Sequence, residues 1–172
     1  TIIWFCSDNG PEKNTPGSAY VFRERKRSLY EGGIRVPAFV IWKDHIKEGI
    51  RLDFPSVTSD YLPSILDILK INYPDNRPID GESLWGVLQG EKKLREKPIG
   101  FLFRQKISWV NNQYKLISVD NGESFELYNL INDRAEKENI AQKEPEIVTK
   151  MKKGLFEWIN SVENSKKGLD YN

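Results

Sequence analysis

"TIIWFCSDNG", residues 1–10, decides how the chain is read. Thr1 to Cys6 is almost uninterrupted apolar sequence, the pattern of a short strand covered on both faces, as in a parallel sheet. It is followed at once by Ser7-Asp8-Asn9-Gly10. Asn-Gly is a strong hairpin signal, so a plain turn is one reading. The other is half of a metal site, because ligands in open α/β sheets bind beyond the carboxyl ends of the strands. Asp8 and Asn9 both offer hard oxygen donors, which suit Ca²⁺ or Mg²⁺ better than a soft metal. Two donors do not complete a Ca²⁺ shell, so any remaining ligands must come from elsewhere.

The elements that follow keep the α/β reading and then change it. Val36–Trp42, "VPAFVIW", is a second buried strand. In "TSDYLPSILDILKI", Ser59 or Asp60 caps a helix whose Leu62, Ile65, Leu66 and Leu69 recur with helical spacing. Residues 73–98 read as loops with a charged run at 91–97. Beyond them "GFLF", "KISWV", "QYKLISV" and "SFELYNL" read as strands, with Asn111-Asn112 as a hairpin turn. A closing helix runs from about Pro145 to Val162, its stripe formed by Val148, Met151, Leu155, Trp158, Ile159 and Val162. The expected fold is the end of a mixed α/β sheet domain, residues 1–92, followed by a small α+β subdomain, residues 93–172, made of an antiparallel meander and one helix.

Bulk properties exclude several functions. The 172 residues carry 26 Lys and Arg against 25 Asp and Glu, a balance that does not fit nucleic acid or an anionic membrane as the main partner. No apolar run is long enough to span a bilayer. Cys6 is the only cysteine, so an intrachain disulfide is impossible, and it reads as a small buried hydrophobe. His45, the only histidine, falls in "WKDHIKEG" after the second strand and reads as a surface loop residue with no nucleophile near it. Thr1 opens directly into a strand, so the chain is expected to be a piece of something longer.

Between the first two strands lies a connection too long for a compact domain unless it has a task. It contains "RERKRSLYEGGIRVP", residues 23–37. A solvated basic loop is the ordinary reading of such a run. The paired Gly32 and Gly33, however, permit a turn that returns the basic segment towards Asp8 and Asn9. An ammonium beside a metal is what a tetrahedral oxyanion such as sulfate or phosphate requires.

At this point the residues resemble a family. "SDNG" followed by Lys26, three residues and "YEGGIRVP" is similar to the carboxy-terminal half of the type I, formylglycine-dependent sulfatases of the alkaline phosphatase superfamily. "DFPSVTSDYLPSILDIL", "DGESLWGVLQG", "YKLI" and "ELYNLINDRAEKENIA" continue the likeness in order, as does the tail "SVENSKKGLDY". The resemblance implies Asp8 and Asn9 as metal ligands, normally to Ca²⁺ and less readily to Mg²⁺. It implies Lys26 as the catalytic and substrate-binding lysine that contacts the sulfate and stabilises the leaving oxygen. Glu31, Gly32 and Gly33 match a structural turn. Arg23, Arg25 and Arg27 are read as solvated surface in preference to contacts with an anionic polysaccharide. Asp133-Arg134 departs from the family's usual Asp-Pro at a surface turn, and "NTPGSAYVF" is not a common form.

The nucleophile is missing. Cys6 lacks the arginine four places on that the formylglycine motif requires, and no serine begins that motif either. By resemblance the formylglycine, the paired aspartates and the catalytic histidines lie upstream, in an N-terminal part outside this chain. The expected function is the carboxy-terminal portion of a periplasmic or secreted sulfatase acting on a sulfated carbohydrate or other sulfate ester, inactive alone. A phosphodiesterase or phosphonate hydrolase of the same superfamily is one alternative. A non-catalytic glycan-binding module is the other.

Overall fold

The computed structural model describes residues 1–73 and 75–171; Pro74, inside the expected loop 73–98, and Asn172, at the end of the expected subdomain, lie outside them. Two sheets organise the chain. Strands β1 (Ile3–Cys6) and β2 (Ala38–Ile41) form a two-stranded ribbon. After it come helix α2 (Tyr61–Leu69) and the one-turn helix α3 (Trp85–Leu88); an earlier turn, α1 (Glu31–Ile34), lies between the two strands. Strands β3 (Ile99–Phe103), β4 (Lys106–Asn111), β5 (Tyr114–Ser118) and β6 (Glu126–Asn129) form the expected antiparallel meander, closed by α4 (Pro145–Lys166).

The ribbon differs from the parallel, doubly covered sheet that its sequence suggests. β1 and β2 pair antiparallel, with Ile3 opposite Ile41 and Phe5 opposite Phe39. Apolar alternation reports which faces are to be covered; strand direction is set by the connection, here the excursion from Ser7 to Pro37. One face is covered, where Trp4 meets Tyr61 of α2 at 4.8 Å between ring centroids. The other leaves Ile3, Phe5, Phe39 and Ile41 each about half exposed. Leu62, Ile65 and Leu69 of α2 also point outward. The helix is amphipathic as expected, but the face turned into this chain is the polar one.

That polar face is held by a buried ion pair. Asp60, fully buried, accepts from both Arg95 guanidinium nitrogens at 2.7 Å and from the Val57 and Glu82 backbone N–H groups. Ser64 accepts from the Leu84 N–H, so α2, the 81–84 loop and Arg95 form one unit.

Alternation along the meander gives the second sheet two working faces. Ile107, Trp109, Leu116 and Leu127 pack on Met151 and Leu155 of α4, with Val148, Trp158 and Ile159 of the expected stripe against them. The opposite face carries Ile117 and Tyr128 and packs on Leu29 and Tyr30, just before α1. The hairpin turn sits one residue later than expected, at Asn112-Gln113, with Asn112 in the left-handed region. Replacing Arg95 by Ala leaves Asp60 buried without its counter-ion. The expected cost is about 3–5 kcal/mol, read as a lower urea midpoint at unchanged slope; a loss under about 1 kcal/mol would contradict the role given to this pair.

Candidate functional site

The segment after β1 and the basic segment before α1 are pressed together by backbone. Gly10 N–H donates to the Gly33 carbonyl at 2.8 Å, and Lys26 N–H donates to the Pro11 carbonyl at 3.1 Å. Gly32 N–H in turn donates to the Arg23 carbonyl at 2.8 Å. The contacts are so close that side chains are excluded. A Cβ on Gly10 would stand 1.8 Å from the Gly32 carbonyl oxygen, and one on Gly32 would stand 2.2 Å from that of Glu24. The glycines expected to form a return turn therefore do so by close approach, and Gly10 is part of the same joint.

Asp8 is exposed and Asn9 half-buried at the end of β1. The Asn9 side chain beside Asp8 holds its carboxyl below the ordinary value, backbone hydrogen bonds act in the same direction, and the Lys26 charge adds to it. Lys26 makes a loose ion pair to Glu12 at 3.9 Å, and its side chain keeps 39% of its exposure. The two expected donors and the expected lysine thus share one corner of the molecule. The donors are hard oxygens, one of them an ionised carboxylate, which fits a hard divalent cation. Among the described residues no three His, Cys, Asp or Glu side chains gather into a metal-holding group.

The other expectations sort differently. Arg25 donates to the Glu12 carbonyl, and Arg27 pairs with the Glu12 carboxylate, keeping that carboxyl low. Arg23 is neither free surface nor a free anion-binding group. It lies 3.8 Å over the Tyr30 ring and donates to the Tyr128 hydroxyl at 2.8 Å. Tyr30 and Tyr128 both donate to Glu126, at 2.6 and 2.7 Å, and burial with that carboxylate pushes both phenols up. His45 is exposed and stacked on Trp42, as a loop residue. Asp133 accepts from the Lys137 and Glu138 N–H groups in a surface turn, and Arg134 is exposed beside it. An open depression of about 510 Å³ is lined by Lys13, Asn14, Thr15, Glu24 and Arg25, part of it from the unusual "NTPGSAYVF" loop.

Sequence reasoning missed a buried cluster beneath this corner. Lys115, wholly buried in β5, lies 3.0 Å from Glu31 Oε1 and 2.8 Å from Glu136 Oε1. Glu136 also accepts from the Glu31 N–H at 2.6 Å, and burial raises its carboxyl. The available signal was a lysine inside the apolar run "YKLIS"; its partners lie far away in sequence.

A family model for the carboxy-terminal region of N-sulphoglucosamine sulphohydrolase matches residues 21–161. The chain belongs to the sulfatases. It is 29% identical to a sulfatase of Formosa agariphila across 92% of its own length, and 28% identical to an N-acetylgalactosamine-6-O-sulfatase of Bacteroides thetaiotaomicron across 94%. It spans about a third of these relatives, 33% and 36% respectively. A crystal structure of Ps i-CgsB in complex with a neocarrahexaose superposes on 99% of the chain with a TM-score of 0.82 at 24% identity, and the match takes up 40% of that protein. The mixed α/β architecture with its closing α+β meander is therefore that of the sulfatase carboxy-terminal part.

The glycine joint gives a direct test. Gly10→Ala forces the two segments apart, with an expected fall in melting temperature of about 4 °C or more and faster proteolysis between residues 10 and 33. Unchanged melting and cleavage would show that the segments are not pressed together.

Proposed function

We propose that this chain is the carboxy-terminal part of a sulfatase that hydrolyses sulfate esters of glycans, with Lys26 as its catalytic and substrate-binding residue. One observation carries the reading: backbone hydrogen bonds through Gly10, Gly32 and Gly33 fasten the lysine segment onto the Asp8-Asn9 segment. Residues 1–92 are the end of the catalytic domain, and residues 93–172 a subdomain that supports it. The activity belongs to the longer chain, and this portion alone is inactive, because no residue here provides the formylglycine nucleophile.

Asp8 and Asn9 hold Ca²⁺ in this reading, together with ligands from outside the chain. Bound there, the cation supplies positive charge towards the sulfate oxygens. Lys26 donates hydrogen bonds from its ammonium to the sulfate and to the ester oxygen that leaves. That oxygen gains negative charge as its bond to sulfur breaks, so a fixed cation beside it is stronger in the transition state than before it. Glu12, 3.9 Å away, is too loosely paired to close Lys26 off. The exposed apolar residues of the ribbon and of α2 are the surface on which the missing N-terminal part packs. The N-acetylgalactosamine-6-O-sulfatase relative and the oligosaccharide complex among the structural neighbours support a sulfated carbohydrate as substrate. A periplasmic or secreted location goes with such a substrate.

In the full-length enzyme, Lys26→Ala is expected to lower kcat on an aryl sulfate about 10²- to 10³-fold without loss of fold. Faster turnover of phosphate than of sulfate esters would overturn the sulfatase assignment. Carbohydrate binding lost in Lys26→Ala, with no turnover in the parent enzyme, would make this a binding module.

A further inference from the structure

Lys26 has little to fix it through its own side chain, whose only ion pair among the described residues is at 3.9 Å. Its position is set by the backbone on either side, and both sides are gripped by the meander. Upstream, Arg23 donates to Tyr128 of β6 and to the Glu136 carbonyl at 3.2 Å. Downstream, Lys106 of β4 donates to the Arg27 carbonyl at 2.7 Å, and Glu31 enters the buried cluster with Lys115 and Glu136.

That cluster is a costly way to gain stability. A buried ion pair is often matched or bettered by apolar residues of the same volume, because desolvation offsets the Coulomb gain. Its distinctive property is geometry. Lys115 donates to Glu31 and stands 2.8 Å from Glu136 in a second ion pair, Glu136 receives the Glu31 backbone N–H, and Arg35 donates to the second Glu31 oxygen at 3.2 Å. With all four side chains ionised the cluster is neutral, and Glu31 has one defined position. Glu31 begins the turn whose next residue, Gly32, closes back on Arg23 and whose Gly33 receives Gly10. A displacement of Glu31 therefore moves the joint on which the separation of Lys26 from Asp8 and Asn9 depends.

We infer that Lys115 and Glu136 are positioning residues for Lys26, acting through Glu31 and the glycine turn to hold the ammonium where the leaving oxygen forms. The inference rests on the proposed contact of Lys26 with the sulfate ester. Neither Lys115 nor Glu136 touches substrate in this reading, since both are fully buried.

The test is a double-mutant cycle in the full-length enzyme, with 4-nitrophenyl sulfate and phenyl sulfate as substrates. Phenolate is the poorer leaving group and depends more on Lys26. Glu136→Gln keeps the side-chain volume and an oxygen for the Glu31 N–H while removing the charge, so it carries the test even where Lys115→Met does not fold. Expected is a loss in kcat/KM of about tenfold on phenyl sulfate and about twofold on the nitrophenyl ester, a scale that small misplacements of a reacting group produce. In a Lys26→Ala background the same change should cost less than about twofold on either ester, because the two residues act as one unit. An effect that persists in full in that background, or is equal on both esters, overturns the positioning role while Lys26 keeps its own. Lys26→Ala with equal losses on both esters rejects the contact with the leaving oxygen, and the inference falls with it.

Discussion

A lysine with no access to solvent, set between two glutamates, is the constraint on which this structure turns. Lys115 projects from the face of the meander opposite α4, and the register puts it beside Tyr128. The same face supplies Ile117 and Tyr128 as an apolar floor for Leu29 and Tyr30. An apolar floor alone would let the 23–33 segment slide. Charge removes that freedom, because each carboxylate buried without Lys115 would cost several kcal/mol. The meander is thus the template on which a loop with little regular structure acquires one conformation.

Asp8, Asn9 and Lys26 sit one layer above. Close backbone approach at Gly10 and Gly32 transmits the position of α1 to the end of β1. Hydrogen bonds between main-chain groups are short and few-jointed, so they carry position better than long side chains do. This explains why Lys26, half-exposed and loosely paired, can still be an organised group. It also explains why Arg23, expected as a surface residue, is drawn into the tyrosine and glutamate cluster: it anchors the start of the same segment.

Much of this was legible in the residues, and the rest was not for identifiable reasons. The meander and α4 were readable because their alternation and helical spacing are local, and α4 buries Met151 and Leu155 as its stripe requires. The resemblance singled out Asp8, Asn9 and Lys26, and the fold brings them to one corner. The antiparallel pairing of β1 and β2 was not readable, since apolar runs carry no direction. Nor was the outward face of α2, where helical spacing shows that a face will be covered but not by which part of the protein. The Lys115 cluster was hidden because Glu31 is 84 residues away in sequence and burial of a lysine depends wholly on its partners.

The most direct test of the account is a crystal structure of the full-length protein with calcium and a bound sulfate ester. The account predicts Asp8 and Asn9 oxygens at about 2.3–2.6 Å from the cation and the Lys26 ammonium within hydrogen-bonding reach of the sulfate. Calcium held by other residues, with Lys26 turned to solvent, would contradict it.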